Sequence, residues 1–305
     1  MIKEISNYAK ELGFDLFRII PAEPLKEESG HFKEWLSAGF EGDMKYMEKE
    51  PEKRTNPQKI LPGAKSIICL AMNYYQDAPD SDFKVARYAF GKDYHKVIEK
   101  KLKKLRQFII EKTGASKQDF KLYSDAGPLL ERAYAVEAGF GFIGKNTTLI
   151  NKDFGSWVFL AEIITTLDIE RTFLRKELSS GECGSCDKCI KACPTGALTK
   201  PYELDARKCI SYQTIENKGE INVDIKDRVF GCDICQEVCP HNCRAKPTKI
   251  PEFKSHIAGP NLDPNEINNM TEEEFQQKFQ GSPIKRAGLK NLKRNIKKCY
   301  NHQRN

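Results

Sequence analysis

Cys183-Gly-Ser-Cys186-Asp-Lys-Cys189-Ile-Lys-Ala-Cys193-Pro194 is the stretch around which the sequence is organised, and a second group, Cys232-Asp-Ile-Cys235-Gln-Glu-Val-Cys239-Pro240, follows it. A cysteine at every third position lets one loop supply three thiolates to an iron–sulfur cluster, while the cysteine before proline ligates a neighbouring cluster. The second group lacks the middle cysteine of a full run, so one ligand must come from elsewhere in the chain. Cys209, which lies alone between the two groups, is the obvious source.

This spacing predicts two 4Fe-4S clusters, which leave three of the 11 cysteines, Cys69, Cys243 and Cys299, without an assigned role. The predicted ligands of the first cluster are Cys183, Cys186, Cys189 and Cys239. The predicted ligands of the second are Cys193, Cys209, Cys232 and Cys235. A disulfide scaffold suits a short secreted chain, and zinc held by paired C-x2-C units requires neither the third cysteine nor the proline. Clusters are therefore the favoured interpretation.

The length and composition are those of a soluble globular protein with more than one domain. The chain has 305 residues, of which 39% are hydrophobic and 10% aromatic, and this is enough for a large core. The N-terminal segment carries charges throughout and is unlike a secretory signal. The longest apolar runs, at residues 67–72 and 157–164, are too short to cross a bilayer. We therefore expect a cytoplasmic protein.

Basic residues exceed acidic ones by 50 to 43, a modest excess that does not by itself indicate an RNA-binding protein. The distribution is more informative, because residues 283–300 hold seven basic side chains and no acidic one. Leu289, Leu292 and Ile296 recur at helical spacing, which predicts an amphipathic helix with a cationic face. That face is either a nucleic-acid contact or, as on many helices, a solvated surface.

Hydrophobic periodicity predicts alternating helices and strands in the first half of the chain. The predicted helices cover residues 2–12, 32–38, 93–112 and 129–138, and the predicted strands cover residues 14–20, 66–72, 120–123 and 157–165. The proline-containing stretch 49–62 is predicted to be a loop. Alternation of this kind indicates an α/β or α+β first domain of roughly 165 residues.

Three domains are predicted, covering residues 1–167, 168–250 and 251–305. The second begins with a charged linker, residues 168–182, and holds both cysteine groups. We expect it to be rich in loops, because metal and sulfide form much of such a core. In the third, Thr271-Glu-Glu-Glu274 predicts a capping box at the start of a helix.

The segment Gly139-Phe-Gly141-Phe-Ile-Gly144-Lys145-Asn146 fits G-x-G-x-x-G and most of G-x-x-x-x-G-K-[ST]. A dinucleotide turn must follow a strand and open a helix, whereas a helix is predicted before this segment and a strand after it. The phosphate loop also requires a Ser or Thr where Asn146 stands. We therefore expect the glycines to let the backbone approach a bulky ligand or another strand closely.

Two side chains near predicted helix starts have competing interpretations. Asp93-Tyr94-His95 matches the start of the D-x-H-x-x-G motif in which His ligates the cobalt of cobalamin, but Ile98 replaces the glycine. We therefore expect His95 to be an exposed residue of a first helical turn. Asp125 is favoured as a helix N-cap, and the alternative is a proton-transferring carboxyl at the junction of a strand and a helix.

Several motifs together resemble those of the epoxyqueuosine reductase family, and the likeness runs from about residue 10 to residue 295. These motifs are Tyr88-Ala-Phe-Gly-Lys-Asp-Tyr-His95, Ser124-Asp-Ala-Gly-Pro-Leu-Leu-Glu-Arg132, Gly141-Phe-Ile-Gly-Lys-Asn146, Gly155-Ser-Trp-Val-Phe-Leu-Ala-Glu162, Cys209-Ile-Ser-Tyr-Gln-Thr-Ile-Glu216 and Phe230-Gly-Cys-Asp-Ile-Cys-Gln-Glu-Val-Cys-Pro240. Several of them are typical of that family rather than of ferredoxins in general.

The resemblance implies an α+β protein in which a nitroreductase-like, cobalamin-binding α/β domain precedes a ferredoxin-like domain with two 4Fe-4S clusters and a short helical segment. It implies an oxidoreductase that removes the epoxide oxygen of epoxyqueuosine at the tRNA wobble position. Asp125 falls on the family's proton donor, and we expect burial beside the cofactor to keep its carboxyl protonated. The cobalamin contacts implied by the resemblance are Arg54, Asp93, Tyr94, Asp125, Lys145, Asn146 and Ser211.

The implied partners are a tRNA with a queuosine-pathway anticodon and an external low-potential electron donor, with no membrane and a monomeric protein. Many family members carry C-terminal HEAT-like repeats, and this chain resembles a short form lacking most of them. We expect tRNA phosphates to contact the cationic residues of 283–300 and the lysines of 96–112. The alternatives are a ferredoxin-type electron-transfer protein and a reductive dehalogenase-like cobalamin enzyme that acts on a small molecule.

Overall fold

The computed structural model describes residues 1–172 and 182–303, with side chains described as far as residue 300. The helices of this part of the chain are α1 Ile2–Glu11, α2 Lys26–Ser37, α3 Pro51–Thr55, α4 Pro57–Ile60, α5 Tyr94–Thr113, α6 Glu131–Glu137, α7 Lys188–Ala192, α8 Ile210–Ile215, α9 Ile234–Glu237, α10 Pro251–Lys254, α11 Pro264–Asn269, α12 Glu272–Lys278 and α13 Leu289–Gln303. The strands are β1 Leu16–Pro21, β2 Ser66–Asn73, β3 Lys84–Val85, β4 Phe120–Tyr123, β5 Phe142–Ile143, β6 Leu149–Ile150, β7 Val158–Thr165, β8 Leu198–Lys200, β9 Glu203–Leu204 and β10 Arg228–Phe230.

The largest sheet has the strand order β1-β2-β7-β4, and each neighbouring pair is antiparallel. All eight residues of β2 are buried. Ile68, Leu70 and Met72 face a core shared with α1 and α5, whereas Ile67 and Cys69 face a second core that contains α6. Because helices cover both faces, the central strands read as continuous apolar runs rather than alternating ones.

The predicted α+β fold class is confirmed. The strands predicted at 66–72, 120–123 and 157–165 are present, and the long helix predicted over 93–112 is present as α5. The alternation of helices and strands did not disclose that the sheet is antiparallel. The prediction of a loop over residues 49–62 is wrong, because α3 and α4 lie there. Pro51 and Pro57 occupy first helical positions, where a missing N–H costs nothing, and the Asn56 side chain caps α4.

A further core joins the cysteine-bearing segment to elements from both ends of the chain. Val85 and Phe90 pack there with Phe230, Phe275 and Leu292, and β3 pairs in parallel with β10. This core is apolar, and Cys232, one of the predicted cluster ligands, packs against it. The domain limits 1–167, 168–250 and 251–305 stay predictions, and residues 173–181 of the predicted linker lie outside the described residues.

The helix predicted over 283–300 is two elements, because Gly288, with a φ of 78°, separates a 3-10 turn at Pro283–Arg286 from α13. The predicted apolar face is confirmed, since Leu292 and Ile296 are fully buried. The capping box at Thr271 is also present. In the part of the chain that the structure describes, no helix is long and apolar enough to span a membrane.

The cationic face of α13 divides into residues with structural roles and residues that point to solvent. The Arg294 guanidinium donates to the carbonyl oxygens of Gln213, Asn217 and Gly219, and the Lys293 ammonium donates to that of Met270 at 2.8 Å. Other side chains of the same face are exposed, namely Lys290 and Lys297. Only the exposed members are available to a partner.

Candidate active site and cluster frame

Asp125 lies in the loop that leaves β4 and precedes α6. Its φ of 62° is in the left-handed region, which is uncommon for a residue other than glycine and occurs often at functional sites. The interpretation of Asp125 as a helix N-cap is wrong, since α6 begins at Glu131 with Leu130 at the cap position. Instead, the backbone N–H of Asp125 donates to Glu131 Oε1 at 2.6 Å.

The Asp125 carboxylate meets the first turn of α5. Its Oδ2 accepts a hydrogen bond from the Tyr94 hydroxyl and lies 3.4 Å from His95 Nε2. The other ring nitrogen, His95 Nδ1, lies 2.8 Å from Asp93 Oδ1. The expectation that His95 is exposed is wrong, because only 29% of its side chain is accessible and it stands between two carboxylates.

Aromatic stacking fixes the position of Tyr94 in this group. Its ring lies parallel to that of Phe159, with centroids 4.1 Å apart, and stacks on His95 with centroids 4.0 Å apart. Tyr88 packs edge-on against the same ring. Tyr94 is therefore a buried residue whose hydroxyl alone reaches the site.

The charges of this group are set by their mutual contacts. Burial lowers the pKa of His95, but hydrogen bonds to Asp125 and Asp93 outweigh it and raise the pKa to about 9. Burial favours the neutral carboxyl of Asp125 and so raises its pKa, but the hydrogen bonds from His95 and Tyr94 outweigh burial and lower the pKa. In the protein alone these surroundings favour an ionised Asp125, contrary to the expected protonated carboxyl.

A second group of side chains, Tyr46, Glu216 and Arg286, faces Asp125, and sequence reasoning did not assign these residues to the site. Arg286, in the turn before α13, forms an ion pair with Glu216 at 2.7 Å. Burial lowers the pKa of Arg286, but attraction to Glu216 and, more weakly, to Asp125 raises it. Tyr46 lies close to Arg286 and stays 45% exposed. Glu216 closes one of the quoted motifs, and Arg286 was expected only as one of the basic residues of 283–300, whereas no sequence signal pointed to Tyr46.

Beneath the Asp125 loop lies a buried pair of carboxyl groups, Glu131 and Glu162. Glu162 is 1% exposed, and its Oε2 has no hydrogen-bond partner. Burial, reinforced by the charge of Asp125, raises the pKa of Glu131 to about 7, and burial with repulsion from Glu131 raises that of Glu162 well above its usual range. Such a pair retains a proton at neutral pH.

The first predicted set of cysteines is a group of electrostatic neighbours. Burial, then repulsion from neighbouring thiolates, raises the pKa of Cys189 and of Cys239. The repelling neighbours of Cys189 are Cys183 and Cys239, and those of Cys239 are Cys183 and Cys186. This grouping supports the predicted first ligand set.

The second predicted set behaves in the same way. Burial comes first for Cys209, Cys232 and Cys235, and the repelling neighbours that follow are Cys193 for Cys209, Cys209 for Cys232, and both Cys232 and Cys209 for Cys235. The charge of Cys189 also raises the pKa of Cys235, so the two sets lie next to each other. Of the unassigned cysteines, Cys243 is exposed, while Cys69 and Cys299 are buried in β2 and α13.

The cysteine frame, which we define as the two predicted ligand sets, is suited to anionic sulfur. The backbone N–H of Lys145 donates to Cys183 Sγ at 3.4 Å. Burial raises the pKa of Cys193, but backbone N–H groups of Leu198, Thr195 and Ala197 lower it by more. Hydrogen bonds to sulfur are among the features that stabilise iron–sulfur clusters and set their potentials. The residues therefore fit the predicted clusters.

A single metal ion fits this frame less well. Among the described residues, no three His, Cys, Asp or Glu side chains converge as the ligands of one ion do. Four thiolates around a cubane stand farther apart than four around a zinc ion.

The glycine-rich segment supports the cluster frame rather than a nucleotide. Helix α6 precedes it, β5 lies within it, and the strand that follows it is β6. A Cβ on Gly141 would stand 2.0 Å from the Ile150 carbonyl oxygen, so glycine is required for the close pairing with β6. The Lys145 ammonium donates to the carbonyl oxygens of Gly184 and Cys186 at 2.7 and 2.9 Å.

The residues predicted to contact cobalamin fall into two groups. Asp93, Tyr94 and Asp125 form one connected group at the cleft. Arg54 stands apart from this group and donates to the Tyr46 carbonyl oxygen at 2.9 Å. Arg54 is buried, and its Nε has no hydrogen-bond partner among the described residues. The remaining predicted contacts, Lys145, Asn146 and Ser211, lie beside the cysteines.

Comparison with known proteins matches two family models, described as epoxyqueuosine reductase QueG, DUF1730 (residues 54–126) and as a 4Fe-4S double cluster binding domain (residues 182–242). An epoxyqueuosine reductase from Leadbetterella byssophila is 41% identical over 301 residues, which cover 96% of each chain.

Two solved structures are similar along almost all of the chain. A crystal structure of epoxyqueuosine reductase with an epoxyqueuosine-modified tRNA-Tyr stem loop has a TM-score of 0.85 and 34% identity, covering 99% of this chain and 81% of that one. An epoxyqueuosine reductase from Bacillus subtilis, whose catalytic aspartate loop is swung out of the active site, has a TM-score of 0.86 and 34% identity, with the same coverage.

Proposed function

The chain belongs to the epoxyqueuosine reductase family, and from this premise we propose that it reduces epoxyqueuosine at the wobble position of tRNA to queuosine. The observation that carries the proposal is the 41% identity to a named epoxyqueuosine reductase over 96% of both chains. The connected group around Asp125 and the double set of cysteines give that identity a chemical basis. The protein is an oxidoreductase whose substrate is tRNA.

The cofactors are two 4Fe-4S clusters and cobalamin, which supply single electrons and the metal-centred reduction of the carbon–oxygen bond. The proposed cluster ligands are the two cysteine sets given above. Their burial and the N–H groups directed at sulfur support this assignment. The proposed cobalamin contacts are Arg54, Asp93, Tyr94, Asp125, Lys145, Asn146 and Ser211, and the connection between Asp93, Tyr94 and Asp125 at the cleft supports this assignment.

Asp125 is the proposed proton donor to the departing oxygen. Loss of an epoxide oxygen as water consumes two electrons and two protons, so a positioned acid is required where oxygen leaves. Asp125 is 55% exposed at the cleft, while its hydrogen bond to Tyr94 orients the carboxyl. A loop position also agrees with the relative whose catalytic aspartate loop is swung out.

Two cationic surfaces are the proposed contacts for tRNA phosphates. The α5 lysine surface, which we define as Lys96, Lys100, Lys103 and Lys104, lines one open groove and begins one residue beyond His95. The exposed residues Lys290 and Lys297 form the second surface. The proposed setting is a cytoplasmic monomer that receives electrons from an external low-potential donor.

The decisive experiment is anaerobic incubation of the reconstituted, reduced holoenzyme with epoxyqueuosine-bearing tRNA, followed by mass spectrometry of the released nucleosides. We expect the modified nucleoside to lose the mass of one oxygen atom. The same reaction with Cys209→Ala is the control, because that protein has lost a proposed cluster ligand. A modified nucleoside of unchanged mass after reaction with the wild-type holoenzyme would overturn the proposal.

A further inference from the structure

The surroundings of Asp125 favour its ionised form, so the proton that Asp125 must deliver is not held on Asp125 itself at neutral pH. The same oxygen, Oδ2, accepts the Tyr94 hydroxyl and faces His95 Nε2 at 3.4 Å. A carboxylate oxygen that accepts from two sides acts as an acceptor and carries no hydrogen to give. Delivery to substrate therefore requires a neighbouring group that stores the proton.

We propose that His95 stores this proton, that Asp93 holds the ring in its doubly protonated form, and that Nε2 passes the proton to Asp125 as Asp125 protonates the departing oxygen. His95 thus acts through Asp125 and is a proton-storing residue that positions the acid. The inference rests on the proposed function, because it concerns the same reaction.

The geometry around the imidazole ring defines its protonation. Asp93 caps α5 and accepts, through one oxygen, both the His95 backbone N–H at 3.1 Å and the His95 Nδ1–H at 2.8 Å. Nε2 faces the Asp125 oxygen on the other side. A neutral imidazole has one donor and one acceptor nitrogen, whereas only the imidazolium can donate to a carboxylate from both. The arrangement Asp93–His95–Asp125 therefore selects the cation.

The surrounding charges agree with that assignment. Asp93 comes from the start of α5 and Asp125 from the loop before α6, and together they outweigh the effect of burial and give His95 a pKa of about 9. Lys96 follows on α5, while Glu131 and Arg286 face Asp125 from the other elements. At neutral pH the pair is an imidazolium beside a carboxylate, and the proton resides on His95.

Tyr94 does not take over this role. Burial raises the pKa of its hydroxyl far above the usual range, and the charge of Asp125 raises it further. A group so reluctant to ionise is a weak source of protons at neutral pH. Its stacking on Phe159 instead keeps the hydroxyl directed at Asp125. Tyr94 orients the Asp125 carboxyl, and His95 supplies the proton.

The proton and electron balance of the step is simple. The N–H bond at His95 Nε2 breaks and an O–H bond forms on Asp125, which transfers its proton to the oxygen that leaves carbon. Neutral His95 regains a proton from solvent, which its 29% exposure permits. A second pass supplies the other proton of water. The two electrons come from an external one-electron donor of low potential by way of the clusters.

Two substitutions distinguish proton storage by His95 from a purely structural role of its side chain. His95→Gln keeps an N–H donor but has no ionisable proton, and Asp93→Asn keeps the helix cap while removing one of the two charges that favour the imidazolium. Pre-reduced holoenzyme is mixed with epoxyqueuosine-bearing tRNA in single-turnover reactions across a pH series. We expect a wild-type rate constant that falls above about pH 9 and an Asp93→Asn rate constant that falls at clearly lower pH.

For His95→Gln we expect a rate constant lower by about 10²-fold and no such alkaline decline. His31→Gln, at an exposed histidine of α2, is the matched control and keeps the wild-type profile. Cobalamin and cluster absorption spectra of each variant verify that the cofactors are retained. NMR titration of the His95 ring in 13C-histidine-labelled protein, assigned by its absence from His95→Gln, gives a readout independent of turnover.

The proposal is overturned if His95 titrates at or below its usual pKa, or if His95→Gln retains both the wild-type rate and the alkaline decline. An Asp93→Asn profile that coincides with the wild-type profile also contradicts it. If the wild-type holoenzyme leaves the nucleoside unchanged, it is the proposed function that fails. The NMR titration then still decides whether His95 stores a proton.

Discussion

The predicted cluster ligands lie within one stretch, residues 183–239, whereas the side chains that face Asp125 come from segments as far apart as Tyr46 and Arg286. A cluster requires several identical groups at short spacing, and a loop supplies them through local sequence alone. The Asp125 cleft requires different groups at one point in space, which only the complete fold can bring together. One site is therefore encoded in spacing and the other in topology.

The two regions also differ in what holds them. Backbone N–H groups face the sulfur atoms of the frame, as at Cys183 and Cys193, and most substitutions leave such donors in place. Side chains hold the cleft, where Tyr94 and His95 contact the same oxygen of Asp125. Substitution should therefore remove a metal centre when it removes a cysteine, and only a chemical step when it alters the cleft.

The largest effect is expected from Cys209→Ala, which removes the one proposed ligand that lies outside both cysteine groups. One cluster should be lost, the iron content should fall by about half, and turnover should be abolished. Iron analysis and electron paramagnetic resonance measure the loss. Cys243→Ala is the control, since Cys243 is exposed and unassigned. Loss of iron from the control would place Cys243 among the ligands.

Asp125→Asn should leave the frame intact and stop the chemistry. An amide keeps the shape of the side chain but cannot deliver a proton, so we expect turnover to fall by about 10²- to 10⁴-fold. Cluster and cobalamin absorption should match those of the wild type. Asp153→Asn, at an exposed site after β6, should be neutral. Wild-type rates in Asp125→Asn would remove Asp125 from the mechanism.

Arg294→Met tests the support of the frame from a distance. The guanidinium donates to three backbone carbonyl oxygens beside α8, and their loss should lower the free energy of unfolding by about 1–3 kcal/mol. Denaturant titration of the holoenzyme measures the change. Lys297→Met, on an exposed side of the same helix, is the control. Equal stabilities of the two variants would show that Arg294 contributes little.

The smallest effect is expected at the α5 lysine surface. Lys100→Gln with Lys104→Gln removes two exposed charges and should weaken tRNA binding a few-fold while making the salt dependence shallower by about 0.7–0.9 in log–log slope per lost phosphate contact. Fluorescence anisotropy across a salt series measures both changes. Lys152→Gln, at another exposed lysine, is the control. An unchanged slope would exclude this surface from RNA binding.

The sequence was a good guide to features that depend on residues close together along the chain. The apolar period placed α5, and the continuous apolar runs placed β2 and β7. The sorting of the cysteines into two ligand sets stays a prediction, which the proximity of Cys209 to Cys232 and of Cys239 to Cys183 supports. Each of these features follows from a local pattern.

The errors share a cause that is equally physical. Asp125 precedes a helix and so matched an N-cap, but five more residues follow it before α6 begins, and that loop frees its carboxyl for Tyr94. His95 looked like an exposed residue of a first turn because its second carboxylate partner is thirty residues away in sequence. Arg286 was expected only as a tRNA-contacting residue of the basic stretch 283–300, since its partner Glu216 is reached only through the fold. Contacts of this kind become visible only with tertiary structure.

The position of α13 has a consequence for how the protein is made. Asn295, fully buried on this helix, donates to the carbonyl oxygens of Thr214 and Val229, next to the segments that carry Cys209 and Cys232. Synthesis runs from the amino terminus, so both cysteines leave the ribosome before α13 exists. The nascent chain therefore presents these ligands on segments that α13 does not yet hold. The segments that carry these two cysteines therefore gain the hydrogen bonds of Asn295 only when α13 docks, as the last step of forming this region.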